Sequence, residues 1–110
     1  MLSKFFDLEN KSVFITGGGS GIGAEITKAF IQQGAKVSFV QRSDSEHFCD
    51  KVETEFNSRP YFIKCDITDL NALKKAVELA NSVNGDAEIL VNNAANDDRH
   101  ETLNVSEEYW

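Results

Sequence analysis

The residues with the clearest chemical meaning form a glycine-rich segment near the start of the chain, TGGGSGIG at residues 16–23. The segment follows a short run of β-forming residues, 12–16, and it precedes a helical pattern. Glycine allows a sharp turn with positive φ and lets a phosphate approach the backbone closely. The first turn of the following helix offers unpaired N–H groups and the positive end of the helix dipole. The segment therefore predicts a binding site for the pyrophosphate of a dinucleotide.

The spacing of these glycines is TGxxxGxG. It is not the GxGxxG pattern, because the third glycine that this pattern requires falls on Ile22 when the count begins at Gly17. We expect Gly23 to let the helix pack close to the preceding strand. The chain has no GK[ST] sequence after the glycines, which excludes a P-loop nucleotidase. The alternative is a turn with a purely structural role.

The end of the second apolar run bears on which dinucleotide would bind. In dinucleotide-binding folds an acidic residue about 20 residues past the glycine loop binds the ribose hydroxyls. Gln41 stands at that place, and Arg42 and Ser43 follow. An arginine can pair with a 2′-phosphate, which a carboxylate would repel. The sequence thus favours NADP over NAD, although Arg42 as a solvated loop residue is the alternative.

A second acidic position follows the third apolar run directly. Asp66 lies at the expected carboxyl end of a strand, which is the ligand side of a parallel sheet. Its carboxylate could accept a hydrogen bond from the adenine amino group. Equally, it could stabilise the start of the next helix.

Short apolar strands that alternate with helical patterns must position these residues. This alternation predicts an α/β fold: a Rossmann-like parallel sheet in the strand order 3-2-1-4, with helices on both faces, which stops after the fourth strand. Residues Ile22, Ile26, Ala29, Phe30 and Gln33 would form the buried face of the first helix, with Gly34 at its end. The predicted strands are 12–16, 36–40, 61–65 and 88–92, and the second helix is 45–56. The third helix carries Leu70, Leu73, Val77 and Ala80, and Thr68 or Asp69 caps its start. Another helix begins at Ser106.

The composition restricts the class of protein. A chain of 110 residues, 41% apolar and 26% charged, is typical of one globular domain. A net charge of −7 argues against a nucleic-acid surface, and no apolar run is long enough to cross a membrane. The start does not resemble a secretory signal. Cys49 and Cys65 have no metal-ligand spacing, so we expect reduced thiols in a cytoplasmic protein.

Three motifs in the same order resemble those of the short-chain dehydrogenase/reductase family: TGGGSGIG at 16–23, CDITD at 65–69 and NNAA at 92–95. The resemblance implies that the first motif holds the pyrophosphate, that Asp66 and Ile67 lie against the adenine, and that the third motif lines the pocket near the nicotinamide ribose. Ala95 replaces the usual glycine of that motif. The predicted cofactor-binding residues are Gly17, Gly19, Ser20, Gly21, Ile22, Gly23, Gln41, Arg42, Asp66, Ile67, Asn93, Ala94 and Ala95.

The resemblance also implies hydride transfer between the nicotinamide and a small alcohol or carbonyl compound, with a tyrosine and a lysine in a YxxxK motif. Neither Tyr61 nor Tyr109 begins such a motif, so we predict no catalytic residue in residues 1–110. We expect these residues to be the N-terminal, cofactor-binding part of a single domain in a longer chain that forms homo-oligomers. The alternatives are a dinucleotide-binding module without catalysis and an inactive, truncated remnant.

The loop after the fourth strand gives a hint of the substrate. Residues 92–101 resemble family members that oxidise sugars at the anomeric carbon. Asp97, Asp98 and His100 could also be interpreted as a metal or acid/base cluster, but a solvated loop is the simpler interpretation, as it is for His47 on a polar helix face. We therefore predict no metal site.

Overall fold

The computed structural model describes residues 8–94, and these form an α/β fold: a parallel β-sheet with helices on both faces. Strands and helices alternate along the chain, and the strands are hydrogen-bonded in the order β3-β2-β1-β4. The predicted fold class and strand order are confirmed. The strands are β1 (Ser12–Thr16), β2 (Lys36–Gln41), β3 (Tyr61–Lys64) and β4 (Ile89–Asn92), and the helices are α1 (Gly21–Gln32), α2 (Glu46–Phe56) and α3 (Leu70–Asn84).

The register of the sheet brings three chain segments to one edge. Thr16 at the end of β1 lies opposite Val40 on one side and Asn92 on the other. Because all pairs are parallel, the residues after β1, β2 and β4 leave the sheet on the same side. The glycine loop, the end of β2 and the segment after β4 therefore meet at the carboxyl edge of the sheet.

Each face of the sheet has its own apolar core. On one face α1 and α2 cover alternate residues of β1 and β2, and the Phe39 ring contacts the rings of Phe48 and Phe62 at 5.9 and 5.2 Å between centroids. On the other face α3 packs Leu73 and its neighbours against Phe14. Strands covered on both faces are continuous in apolar residues, as those of this sequence are.

The predicted face of α1 is confirmed for Ile26 and Phe30, which pack against the core, and for Gln33, which is buried, but it is wrong for Ile22. The buried residues of the helix are Gly23, Thr27 and Ile31, whereas Ile22 is 74% exposed. A Cβ at Gly23 would collide with the Gly17 carbonyl oxygen, so α1 packs against the glycine loop at this residue, and the neighbouring Ile22 lines the cleft. The apolar periodicity did not show this contact, because glycine contributes little to it.

The ends of the elements follow from local chemistry and differ from the predictions by about one residue. Asp69 caps α3, since its carboxylate accepts a hydrogen bond from the Ala72 N–H at 3.1 Å. Asn57 ends α2 with a φ of 58°. Leu70 is the first residue of α3 and is 48% exposed, whereas Leu73 and Ala80 of the predicted helix are buried. The helix predicted from Ser106 lies outside the described residues. Within residues 8–94, the helices are too short or too polar to span a bilayer.

Candidate functional site

A cleft of about 420 Å³ opens at the carboxyl edge of the sheet, between the glycine loop and the ends of β2, β3 and β4. Most of the predicted site residues line it. Gly19, which is half-buried, and Gly23, which is buried, do not line it, and Ala95 lies outside the described residues. The lining residues are Gly17, Ser20, Gly21, Ile22, Val40, Gln41, Arg42, Cys65, Asp66, Ile67, Thr68, Asn93 and Ala94.

The glycine loop combines one open and one crowded glycine position. Gly21 has a φ of +57°, and no atom lies within 4 Å of the position that a Cβ would occupy. Gly23 is the opposite, because a Cβ there would collide with the carbonyl oxygen of Gly17. Gly21 therefore leaves its outer side free for a ligand, and Gly23 allows α1 to pack against the loop, as predicted from the sequence.

Two side chains and one backbone hydrogen bond hold the backbone of the loop. The Thr27 hydroxyl donates to the Gly18 carbonyl at 2.9 Å, and the Asn93 amide donates to the Gly17 carbonyl at 3.2 Å. The Gly17 N–H donates to the Val40 carbonyl at 2.8 Å. The loop is thus fixed before any ligand binds, which lowers the entropy cost of binding.

The N-terminus of α1 faces the cleft. Ser20 is the N-cap residue and has the extended backbone that such a residue adopts, yet its side chain makes no capping hydrogen bond. The first N–H groups of a helix have no acceptor within the helix. They therefore offer an anion hydrogen-bond donors together with the positive end of the helix dipole.

Gln41 bridges the end of β2 and the glycine loop. Its side-chain oxygen accepts a hydrogen bond from the Gly19 N–H at 3.0 Å, and its amide nitrogen donates to the Ser20 hydroxyl at 3.3 Å. Sequence reasoning placed Gln41 at the ribose position but did not find this contact to the loop. Gln41 and Gly19 are 22 positions apart in the sequence, and no local sequence pattern connects them.

The Thr16 hydroxyl joins the ends of β1 and β4. It donates to the Asn92 side-chain oxygen at 3.1 Å and accepts from the N–H groups of Asn93 and Ala94 at 2.9 and 3.1 Å. One threonine thereby positions the backbone that lines the cleft at Asn93 and Ala94. The sequence motif included Thr16, but we had assigned it no role.

Arg42 and Asp66 face each other across the ends of β2 and β3. The Arg42 Nε lies 3.9 Å from the Asp66 Oδ2, and both side chains are substantially exposed. The other oxygen, Oδ1, accepts from the Thr68 hydroxyl at 2.7 Å and from the Thr68 N–H at 3.0 Å. These two bonds, with a smaller contribution from Arg42, hold the pKa of Asp66 below its usual range. The cleft thus contains one positive charge, on Arg42, and a carboxylate, on Asp66, whose ionised form is favoured.

The two cysteines, one in the cleft lining and one in the core under α2, provide no nucleophile. Cys65 lines the cleft, but it is buried, and burial raises the pKa of its thiol. Burial likewise raises the pKa of Cys49 to about 11. Both cysteines are free thiols, as predicted, and both stay protonated near neutral pH, so neither is an activated nucleophile. Within residues 8–94, no three potential metal-ligating side chains come together.

A sequence profile described as short chain dehydrogenase matches residues 11–110. The chain belongs to the short-chain dehydrogenase/reductase family. The resemblance inferred from the three motifs is therefore confirmed over nearly the whole chain.

Among curated members of this family, the chain is 43% identical over 110 residues to a protein named "Probable galactose dehydrogenase" from Rhizobium meliloti. That match covers 98% of the chain and 43% of the relative. The chain is also 41% identical over 104 residues to D-xylose 1-dehydrogenase from Caulobacter vibrioides, which covers 94% of the chain and 40% of the relative. The chain thus spans about two fifths of the length of these relatives.

Solved structures of the family agree with the fold. A short-chain dehydrogenase/reductase from Serratia marcescens superposes with a TM-score of 0.73 at 38% identity, over 78% of this chain and 36% of that one. L-sorbose reductase from Gluconobacter frateurii, in complex with NADPH and L-sorbose, superposes with a TM-score of 0.73 at 32% identity, over 78% and 34%. A blue fluorescent protein from a metagenomic library, also in complex with NADPH, superposes with a TM-score of 0.71 at 34% identity, over 79% of this chain and 37% of that one.

Three residues that line the cleft were missed by the sequence reasoning: Val40, Cys65 and Thr68. Each is a neighbour of a predicted residue at the end of a strand. The signal that could have found Thr68 is the Asp-x-Thr spacing after β3, which is typical of a turn closed by an aspartate side chain.

Proposed function

We propose that the protein is an oxidoreductase that transfers a hydride between NADP(H) or NAD(H) and a small alcohol or carbonyl compound, and that residues 8–94 supply dinucleotide binding. The observation that carries the proposal is the uncapped N-terminus of α1, which faces a cleft at the carboxyl edge of a parallel sheet. The open side of Gly21 fits a phosphate against this helix end.

In this proposal the cleft holds the dinucleotide in three parts. The pyrophosphate lies at the glycine loop, where Gly21 and the first turn of α1 offer space and N–H donors. The adenosine lies between the ends of β2 and β3. The ribose of the nicotinamide half lies near the segment after β4. The proposed contacts are Gly17, Ser20, Gly21 and Ile22 for the first part, with Gly19 and Gly23 shaping the loop, Gln41, Arg42, Asp66 and Ile67 for the second, and Asn93, Ala94 and Ala95 for the third.

NADP is the preferred dinucleotide in this proposal. Arg42 is exposed at the mouth of the cleft and carries a charge that pairs with a 2′-phosphate. Gln41 adds no negative charge beside it. When it is bound, the nicotinamide ring supplies the acceptor or donor of the hydride, and the residues described above bind and orient the molecule that carries it.

The substrate we favour is a sugar or a related small alcohol. Two curated relatives are named for galactose and xylose, and one structural neighbour was solved with L-sorbose. We propose further that the protein acts in the cytoplasm as a homo-oligomer and needs neither nucleic acid nor a membrane. No residue of this chain is assigned to the catalytic step.

Binding measurements on the full-length protein test the cofactor proposal. We expect NADPH to bind more tightly than NADH, and we expect Gln41→Glu to reduce the ratio of the two affinities at least tenfold, because a carboxylate repels the 2′-phosphate. Gln32→Glu, at an exposed position at the end of α1, is the control for the change in charge. An unchanged ratio in Gln41→Glu would show that the ribose lies elsewhere.

Turnover measurements separate the enzyme from a module that only binds the dinucleotide. The full-length protein is mixed with NADP or NAD and an alcohol or sugar such as galactose, xylose or sorbitol, or with NADPH or NADH and a carbonyl compound, and absorbance at the reduced nicotinamide band is followed. Reduction of the dinucleotide with at least one sugar supports the oxidoreductase. Tight dinucleotide binding with no turnover of sugars, other alcohols or carbonyl compounds would favour the module.

A further inference from the structure

The side chain of Gln41 is attached to the glycine loop at two neighbouring residues. Its Oε1 accepts a hydrogen bond from the Gly19 N–H at 3.0 Å, and its Nε2 donates to the Ser20 hydroxyl at 3.3 Å. Because a backbone N–H can only donate, the end of the amide that faces Gly19 must be the oxygen, and this fixes the orientation of the amide. Gln41 therefore joins the end of β2 to the middle of the loop.

Gly19 is a tightly packed part of the loop. It is half-buried, and a Cβ at this residue would collide with the Ser45 hydroxyl oxygen. Its N–H is engaged by Gln41 and is therefore not among the donors that the loop offers to an anion. Gly19 thus belongs to the support of the loop, whereas the exposed Ser20 beside it lines the cleft.

The attachment lies just before the part of the loop where an anion would bind. The hydrogen bonds described for the loop above hold its first two glycines, and Gln41 holds the next two residues, after which Gly21 begins α1. A segment that is fixed before binding loses less conformational entropy when a ligand binds. Without Gln41, the half-buried Gly19 N–H would lose its acceptor, and the stretch that leads to Gly21 would lose its link to β2.

We propose that Gln41 is a positioning residue that anchors the glycine loop at Gly19 and thereby holds the pyrophosphate site in place. This contribution comes from the side-chain oxygen, and it acts equally on NADP(H) and NAD(H), since both contain the pyrophosphate. The choice between the two depends instead on the charge at position 41. The inference rests on the proposed function, because it assumes that a dinucleotide binds at the glycine loop.

Two substitutions at position 41 of the full-length protein separate these contributions. Gln41→Met keeps the length of the side chain and removes both hydrogen bonds. It should weaken the binding of NADPH and NADH by the same factor, about fivefold, which corresponds to about 1 kcal/mol, the typical net contribution of a hydrogen bond. Gln41→Glu keeps an oxygen for the Gly19 N–H, so it should bind NADH more tightly than Gln41→Met does and should weaken only NADPH. Gln32→Met, at an exposed position of α1, is the control.

Titration with ADP and with adenosine tests whether Gln41 acts through the loop. ADP contains a pyrophosphate, and adenosine contains the same ribose without it. Gln41→Met should therefore weaken the binding of ADP several-fold more than that of adenosine. Equal losses for the two ligands would mean that Gln41 acts only at the ribose, and the anchoring role would be wrong.

Hydrogen exchange without ligand tests the anchor directly. The Gly19 N–H should exchange faster in Gln41→Met than in the wild type, and Gln41→Glu should restore the slow exchange. The Gly17 N–H, which donates to the Val40 carbonyl, is the internal control and should exchange at the same rate in all three proteins. A general loss of stability would accelerate both groups, so this difference distinguishes an anchor from a merely structural residue.

Each of these results supports or overturns the proposal. An unchanged rate at Gly19 in Gln41→Met, or unequal losses for NADPH and NADH in that variant, would overturn it. If Gln41→Met does not fold, fast exchange at Gly19 in Gln41→Glu would overturn it as well. If the wild-type protein binds neither dinucleotide, the proposed function fails, whereas the exchange rates at Gly19 still test the anchor.

Discussion

Gly23 in the first turn of α1 lies directly against the carbonyl oxygen of Gly17 at the start of the glycine loop, so closely that a Cβ at Gly23 would collide with it. The contact sets the distance between the helix and β1. It also fixes the position of the first turn of α1 relative to the glycine loop. Two glycines that are six positions apart in the sequence thus define the wall of the candidate site.

The first prediction concerns Gly23→Ala. Helix propensity alone predicts that this change stabilises the protein by about 1 kcal/mol, since alanine is the better helix former. We expect the opposite, a loss of about 1–3 kcal/mol in the free energy of unfolding, because the methyl group must displace the Gly17 carbonyl. Urea denaturation measures the sign. A gain in stability would show that the loop can move away and that the contact does not constrain the helix.

The second prediction compares Gly21→Ala with Gly85→Ala. Both glycines have positive φ, +57° and +86°, and both have open space around the position of a Cβ. Each substitution should therefore cost stability through backbone strain, of the order of 1–3 kcal/mol. Only Gly21 borders the cleft, so only Gly21→Ala should also weaken dinucleotide binding, by tenfold or more. Calorimetric titration with NADPH measures the affinity of each variant, and urea denaturation measures its stability. Equal affinities in the two variants would place the ligand away from Gly21.

The third prediction concerns Arg42. The Arg42→Ala change should lower the affinity for NADPH about tenfold and leave that for NADH nearly unchanged, because only NADPH has the 2′-phosphate that the guanidinium would bind. The loss should shrink as salt is added, since the side chain is exposed. Lys51→Ala removes the same charge from an exposed position of α2 and serves as the control. A similar loss for both dinucleotides would assign Arg42 to another part of the ligand.

The fourth prediction is a pH dependence at the opposite edge of the sheet. Glu88 accepts hydrogen bonds from the Ser12 N–H at 3.1 Å and from the Lys11 ammonium at 3.3 Å. The first of these, with a smaller contribution from Lys11, lowers the pKa of Glu88 in the folded state. The ionised form therefore stabilises the fold above the unfolded-state pKa, and this contribution disappears as the pH falls through the folded-state pKa.

Denaturation of the wild type and of Glu88→Gln between pH 3 and 7, a range around the usual glutamate pKa of about 4.3, measures that contribution. We expect the variant to be less stable at pH 7 and the difference to vanish towards pH 3. Glu78→Gln, on the exposed side of α3, removes a charge far from Ser12 and should show no such convergence. A difference that stays constant with pH would mean that the loss comes from packing and not from the charge.

The sequence predicted the fold well because the signals that specify it are local. Strands such as β1 are continuous β-forming runs, and Asp69 and Gly34 mark helix ends by their own chemistry. Handedness then fixes the sense of each crossover, and the order 3-2-1-4 is that of the first half of a Rossmann fold. The glycine loop was recognisable for the same reason, since its turn requires glycine within a few residues of the helix start.

Relationships between distant residues were decided only by the tertiary structure. Ile22 is exposed at the cleft while Gly23 beside it packs against Gly17, and apolar periodicity does not record a contact between two glycines. The bonds of Gln41 to the glycine loop, and those of Thr16 to the segment after β4, join residues that meet only because the strands are parallel and in register. A sequence determines which groups a chain carries and which local conformations they prefer. The packing of the sheet and helices determines which of those groups come within hydrogen-bonding distance.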